Sequence, residues 1–390
     1  MTARHAARDL LDRLAGLAVG AYGAWSWLHG PRPRLPLDPV SVRRILVIRV
    51  DLLGDLVFSL PTLHALRAAF PDARIDALVL PYTAPILQQA GVADTIYTLD
   101  VNRYRRLGGI GELGVLLSTL RGIRTTRYDL AVGLSRRVGG LLAAASGARV
   151  RVGYAAESYA GAYNVPVAGY RYARSRHDVD YCLDLVRALG IPVVEQVPTL
   201  VPPGQHVPPE RPYAVLVPGA SNGAAKQWAL VHWAALADRL AAAHELQIVL
   251  AGAASEQPLA RRVAAAATVE VVDRTGATTI AELVELLAGA RLVVAGDTGP
   301  LHVAASLGVP TLGIFGPTNP ANNGPLGPNS ASIRLGVACS PCYDLRSPAD
   351  CKLPDRSTIC MWGLAPERVY VAAVELLVRS AADCASIAAV

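Results

Sequence analysis

Arg44-Ile-Leu-Val-Ile-Arg-Val50 is an almost unbroken apolar run, followed by the loop Asp51-Leu-Leu-Gly-Asp55 and then by helical spacing over 56–70, which Pro71 stops. A strand apolar on both faces belongs in a parallel sheet covered on both sides, so the stretch reads as a βα unit. The alternation continues with a strand over 74–80, a helix over 84–90, a short strand near 95–99, a helix near 110–122 and a strand over 128–132. A stretch over 191–212 holds seven prolines and reads as a linker. Beyond it the pattern returns, with strands over 213–217, 247–251, 269–272, 291–295 and 311–315 and helices over 230–244, 256–267 and 279–287. Strands alternating with helices predict the α/β class, as two doubly wound Rossmann-like domains. In such sheets ligands bind beyond the carboxyl ends of the strands, so a cleft between the domains is the expected site.

Composition agrees. In 390 residues, 52% hydrophobic and 17% charged, there is material for two buried cores, and wholesale disorder is excluded. Nearly all apolar runs are about five to eight residues long, far short of a bilayer span, which excludes a polytopic membrane protein. The net charge of +6 is almost all arginine, since Lys226 and Lys352 are the two lysines. That balance suits anionic ligands, while the lack of a dense basic helix or an aromatic stacking strand argues against nucleic acid. Six cysteines are too few for a disulfide scaffold.

The N-terminal segment, 1–40, stands apart. An uncharged run from Leu14 to Leu28 follows Arg4, Arg8 and Arg13 and looks like a signal sequence, but no small-residue cleavage site is evident. Leu10, Leu14, Leu17, Ala21, Trp25 and Leu28 share one helical face. Two readings follow: an interfacial helix with Trp25 and Trp27 at headgroup level, or a helix docked on the protein's own surface. A Pro-Arg-Pro-Arg-Leu-Pro linker then leads into a first domain over 41–205 and a second over 206–390.

Three segments at strand ends can carry chemistry. Asp55 opens a helix and can be either its N-cap or a general base. Gly296-Asp-Thr-Gly-Pro-Leu-His302 places Gly299 and Pro300 at a helix start whose free N–H groups suit an anion, with His302 in the first turn. The loop Pro218–Trp228 is rich in small residues and ends in Lys226, without the spacing of a Walker loop. Asp178-Val-Asp180 is a D-x-D pair that could hold a metal but reads as the acidic start of a helix. Arg103, Arg105, Arg106, Arg121, Arg124 and Arg127 could meet an acidic acceptor or form a solvated face. Cys339, Cys342, Cys351 and Cys360 form C-x2-C-x8-C-x8-C, which fits a four-thiolate zinc site, reduced core thiols or a local disulfide.

Arg49-Val-Asp-Leu-Leu-Gly-Asp-Leu56 with Leu60-Pro61 and Phe70-Pro71, Lys226-Gln-Trp228 with Trp233, and Asp297-Thr-Gly-Pro-Leu-His-Val-Ala-Ala305 with Phe315-Gly-Pro317 together resemble the ADP-heptose:lipopolysaccharide heptosyltransferases of glycosyltransferase family 9. The resemblance spans about 44–375, with the three motifs in the family's order. It implies the GT-B fold, two Rossmann-like domains facing each other across a cleft, with a C-terminal helix packing back toward the N-domain. It implies inverting transfer of a heptose or similar sugar from a nucleotide-diphosphate sugar, ADP-heptose by the family's habit, to a glycolipid or oligosaccharide, with neither catalytic metal nor cofactor. Asp55 would be the base; Lys226, Ser221 and Asn222 would face the diphosphate with Thr298, Gly299, Pro300, Leu301 and His302. Glu256 would receive the ribose and Asp297 the sugar. The place implied is the cytoplasm, with peripheral contact at the inner face of the membrane through the N-terminal helix. The competing reading is a catalytically silent nucleotide-sugar-binding or scaffold protein on the same fold.

Overall fold

The computed structural model describes residues 17, 20, 21, 32–100, 110–169, 175–194, 196–202, 204, 211–220, 223–343, 351–353 and 357–388, with backbone alone for 110–117 and 381–388. The chain divides into two compact units, Met1–Gln196 and Val197–Val390, meeting inside the proline-bearing stretch.

The first unit is a six-stranded parallel sheet of β1 (Arg44–Arg49), β2 (Arg74–Val79), β3 (Thr95–Thr98), β4 (Leu130–Gly133), β5 (Val150–Tyr154) and β6 (Val165–Val167), in the order β3-β2-β1-β4-β5-β6. Leu46, Ile48, Leu78, Ala131 and Tyr128 pack into one buried cluster on it. The second unit repeats the plan with β7 (Tyr213–Val217), β8 (Gln247–Leu250), β9 (Val271–Asp273), β10 (Leu292–Gly296), β11 (Thr311–Phe315) and β12 (Ser330–Arg334), in the order β9-β8-β7-β10-β11-β12. Its core gathers Leu216, Ile248, Val294, Leu312, Trp228 and Trp233. The C-terminal helix Pro366–Ala388 packs on β10, β11, β12 and the helix Leu230–His244 of its own unit.

Both sheets thus carry the doubly wound order in which the chain leaves the first strand to one side and the fourth to the other. The gap between β1 and β4, and its counterpart between β7 and β10, are the switch points.

Several elements differ from the sequence reading. The helix expected from Leu56 starts at Leu53 and breaks into Leu53–Val57 and Leu60–Ala69. Pro61 has no N–H for the Val57 carbonyl, so one continuous helix is impossible there. Strands β5 and β6 were not anticipated. Arg151 interrupts β5 in the sequence, yet it is 3% exposed and donates to the carbonyls of Ala148 and Ala162. Pro166 sits in the edge strand β6, where a missing N–H costs least.

Leu17, Gly20 and Ala21 are helical, and Leu17 is exposed. Leu10, Leu14, Trp25 and Leu28 of the expected apolar face lie outside the described residues, as do Trp27, Arg4, Arg8 and Arg13. Among the described residues no helix is long and apolar enough to cross a membrane.

Candidate active site

In the first unit Asp55 is the third residue of the helix that follows β1. It is not the N-cap: Leu52 is, and its N–H donates to Asp55 Oδ2 at 3.3 Å. The other oxygen, Oδ1, receives Arg49 Nη2 at 3.3 Å. Arg49 ends β1 and is 1% exposed. Its remaining donors reach the Asp55 carbonyl at 3.0 Å and the Leu134 carbonyl at 2.6 Å, the latter just past β4. Ser135 Oγ, beside it, accepts the Val50 N–H at 2.7 Å, which joins the ends of β1 and β4 at the switch point. The buried guanidinium therefore fixes both the backbone and the carboxylate of Asp55, whose side chain stays 20% exposed. Each carboxylate oxygen has a second lone pair, so an orienting bond leaves room for a hydroxyl proton. Tyr82 stands nearby; burial pushes its hydroxyl up to about 12, the Asp55 and Asp51 charges add to this, and the Leu53 N–H opposes it.

In the second unit the loop after β7 makes a 3-10 turn, Ala224–Lys226, entered through Gly223 at φ +118°. Only glycine adopts that backbone without strain. Just beyond it Trp228 and Trp233 are buried edge to face, centroids 5.1 Å apart, and Trp228 Nε1 donates to the Leu364 carbonyl at 2.9 Å. These anchors hold the lysine at the end of β7. Its Nζ donates to Asp297 Oδ2 at 2.9 Å and approaches the Asp297 carbonyl at 3.4 Å. The ring of Tyr343 lies 4.7 Å from the same nitrogen, a cation–π contact that the sequence reading missed.

Asp297 follows β10, and His302 Nε2 stands 3.7 Å from its Oδ1. Burial alone would raise the carboxyl, but Lys226 and His302 outweigh it and hold Asp297 well below the usual carboxylate range. Thr298 is the N-cap of the helix Gly299–Ser306, but its hydroxyl turns back to the Gly296 carbonyl at 3.3 Å instead of capping a helix N–H. With Pro300 in the first turn, that helix start offers backbone donors and a positive dipole beside Lys226. Leu301 is wholly buried and His302 nearly so. Leu301 therefore serves the core with its side chain.

Glu256 closes a turn after β8 and accepts the Ala253 N–H at 2.8 Å. It lies against Gly219 of the lysine loop and Gly252 beyond β8, so closely that a Cβ on either glycine would fall 2.1 Å and 2.6 Å from its carboxylate group. Burial raises its pKa, only partly offset by the Ala253 bond. The structure brings Lys226, Asp297, Thr298 and His302 together and sets Glu256 against Gly219 at the start of the lysine loop. Ser221 and Asn222 lie outside the described residues.

Two other readings resolve. Asp178 and Asp180 occupy the first turn of the helix Asp178–Arg187, capped by His177, whose Nδ1 accepts the Val179 N–H. Of the arginine group, Arg121, Arg124 and Arg127 are exposed, beyond the amino end of β4 and so at the sheet edge opposite Asp55. Arg103, Arg105 and Arg106 lie outside the described residues.

The family model for glycosyltransferase family 9 (heptosyltransferase) matches residues 116–353. The chain belongs to glycosyltransferase family 9. It is 29% identical over 350 residues to lipopolysaccharide heptosyltransferase 1 of Pseudomonas aeruginosa, covering 84% of this chain and 96% of that protein. The solved structure of Escherichia coli ADP-heptose lps heptosyltransferase II superposes with a TM-score of 0.69 at 25% identity, over 86% of this chain and 99% of that one. An E. coli heptosyltransferase solved with ADP gives 0.66 at 22% identity, over 85% and 99%. As a family 9 glycosyltransferase the protein is an enzyme of the GT-B class, built from two units with one strand order.

Proposed function

We propose that the enzyme transfers a heptose from ADP-heptose to a hydroxyl of lipopolysaccharide, with inversion at the anomeric carbon and without a catalytic metal. Relatives named lipopolysaccharide heptosyltransferases support the sugar and acceptor, and the neighbour solved with ADP supports the nucleotide. The observation that carries the reading is the cluster of Lys226, Asp297 and His302 at the uncapped start of the helix Gly299–Ser306.

Departure of ADP concentrates negative charge on the diphosphate. Lys226, the helix-start N–H groups and His302 supply fixed donors where that charge grows, the role a metal takes in other transferases. Asp297 orients the lysine through their ion pair and reaches the donor sugar; Glu256 accepts the ribose hydroxyls. Asp55 takes the proton of the attacking acceptor hydroxyl, its orientation preset by Arg49. Ser221 and Asn222 complete the diphosphate contacts. The N-terminal segment holds the enzyme peripherally on the cytoplasmic leaflet, near a lipid-borne acceptor.

The test is turnover of ADP-heptose with heptose-deficient lipopolysaccharide in buffer free of added Mg²⁺ and Mn²⁺, with the anomeric configuration of the product read by NMR. Transfer with inversion is expected. Retention, or a requirement for added Mg²⁺ or Mn²⁺, would overturn the mechanism, and failure with this donor beside success with another would overturn the substrate.

A further inference from the structure

The helix start that bears Asp55 shows little of itself to solvent. Leu53 and Leu56 are buried, which leaves Asp51, Leu52, Gly54 and Asp55 at the surface. Leu52, whose N–H orients the Asp55 carboxylate, is 43% exposed. β2 ends level with β1, since Arg49 pairs with Val79 in the parallel register, and the turn Pro81–Thr83 follows it. Leu80 and Thr83 are buried and tied together, the Thr83 N–H and hydroxyl both donating to the Leu80 carbonyl, at 3.1 and 3.0 Å. Between them Tyr82 is turned outward, 44% exposed.

The hydroxyl of Tyr82 is its sheltered end. The Leu53 N–H faces it, a donor of the first helical turn that has no carbonyl within its own helix, and burial is the main cause of the hydroxyl's raised pKa. The exposure therefore belongs to the ring. One exposed apolar side chain is ordinary on any protein surface. Here two, from the ends of two adjacent strands, flank the carboxylate that the proposed function uses as its base.

We propose that Tyr82 and Leu52 form a platform for the acceptor sugar, whose apolar C–H face packs on the tyrosine ring while the attacking hydroxyl turns to Asp55. The argument is one of reach. A base takes its proton from an oxygen about 2.6–3.2 Å away. The sugar ring carrying that oxygen begins one bond further out, so it must lie against whatever borders the carboxylate at the surface. Arg49 is buried beneath; Leu52 and Tyr82 are what remains. A sugar bears hydroxyls on its rim and C–H bonds on its faces, and the electron-rich face of an aromatic ring matches those C–H bonds. A few polar groups then fix orientation. Asp51 is one: 20% exposed, paired with Arg49 at 3.5 Å and with its charge reaching the Tyr82 hydroxyl, it suits a second rim hydroxyl. Tyr82 is thus a binding residue that selects which face of the acceptor meets the base, and it transfers no proton.

The platform rests on Asp55 as the base, yet the ring contact can be read without turnover. The full chain is mixed with ADP and a deacylated, heptose-deficient lipopolysaccharide oligosaccharide. In proton NMR, acceptor C–H resonances should move upfield through the ring current on binding to wild type and to Tyr82→Phe, and should not with Tyr82→Leu. In steady-state turnover with ADP-heptose, Tyr82→Leu should raise the acceptor KM about 10-fold or more, and Tyr82→Phe should stay within about threefold of wild type. ADP affinity should hold within about twofold in both, which also reports that the fold is intact. Equal acceptor affinity in Tyr82→Leu would overturn the platform. So would Tyr82→Phe failing as badly as Tyr82→Leu, because the contact would then be the hydroxyl's. If wild type binds no such oligosaccharide, the proposed acceptor fails and the platform falls with it.

Discussion

The two units share one strand order, and each puts an ion pair at its switch point, yet the pairs are built in opposite senses. In the first, the cation is sealed: Arg49 is 1% exposed and spends its fork on two carbonyls and one oxygen of Asp55, whose side chain is left 20% exposed. In the second, the carboxylate is the clamped partner: Asp297 sits between Lys226 and His302 at a helix start, and it and Lys226 are equally exposed at 11%. A guanidinium's rigid fork suits locking a loop, while an ammonium is a point charge with a spare donor. On the proposed function, one scaffold thus presents a negative group for a proton and, in its repeat, a positive environment for a leaving diphosphate.

The sharpest way to break this comparison is Asp55→Asn, which keeps shape and can keep the Leu52 bond. Turnover should fall about 1000-fold while ADP affinity, which the proposed function assigns to the second unit, stays within twofold. Turnover near wild type would strip the first switch point of its chemical role.

The pair of cations comes next. Arg49→Met strands a buried carbonyl pair and a carboxylate, and should cost about 3–5 kcal/mol of stability. Lys226→Met leaves Asp297 with His302 and the helix dipole, so it should cost about 1–2 kcal/mol while lowering kcat roughly 100-fold. Thermal unfolding and single-turnover rates on both variants measure the split. Equal destabilisation by the two substitutions would mean that Lys226 is as structural as Arg49.

How much of this was legible follows the same division. Most of the parallel strands, though not β5, β6 or β12, and the helix-start segment around Asp297 announced themselves, because unbroken apolar runs and a Gly-Pro turn are local signals. Lys226 stood out through its rarity. Arg49 and Arg151 did not, since a charge inside a strand looks like solvent exposure until the fold brings up its carbonyl partners, Leu134 from far along the chain for Arg49 and the nearby Ala148 and Ala162 for Arg151. Tyr343 was invisible for the same reason: its ring meets a lysine more than a hundred residues earlier. The adjacent Cys339-Ser-Pro-Cys342 turn was the signal that could have drawn the eye there.

Within the second unit, Gly219→Ala sharpens the account of Glu256. The added methyl group would fall 2.1 Å from the Glu256 carboxylate carbon, the far end of a flexible side chain, so the carboxylate swings away and the fold survives. If Glu256 accepts the ribose hydroxyls as proposed, its displacement should weaken ADP about 30-fold, with little change in Tm. Glu256→Ala should do the same, and the double variant should add almost nothing. Additive losses would place Glu256 away from the nucleotide.

The smallest effect separates the two carboxylates of that unit by pH. Burial raises Glu256, whereas Lys226 and His302 outweigh burial at Asp297 and lower it. On acidification from neutral pH, Glu256 takes its proton first and ceases to accept from both ribose hydroxyls, so ADP affinity should fall, by about 10-fold at most. Stability moves differently. A carboxyl raised in the folded state binds protons more readily there than in the unfolded chain, so protonating Glu256 favours the fold as pH drops. The depressed carboxyl of Asp297 contributes stability above its unfolded value, and that contribution is lost only as pH falls through its lower folded range. Over the first part of the titration ADP should therefore weaken while these two groups take nothing from Tm. Calorimetry of ADP binding beside thermal unfolding, from pH 7.5 downward, measures both, and Glu256→Gln should flatten the affinity curve. An affinity curve unchanged in Glu256→Gln would assign the proton to another group and take Glu256 out of the nucleotide contact.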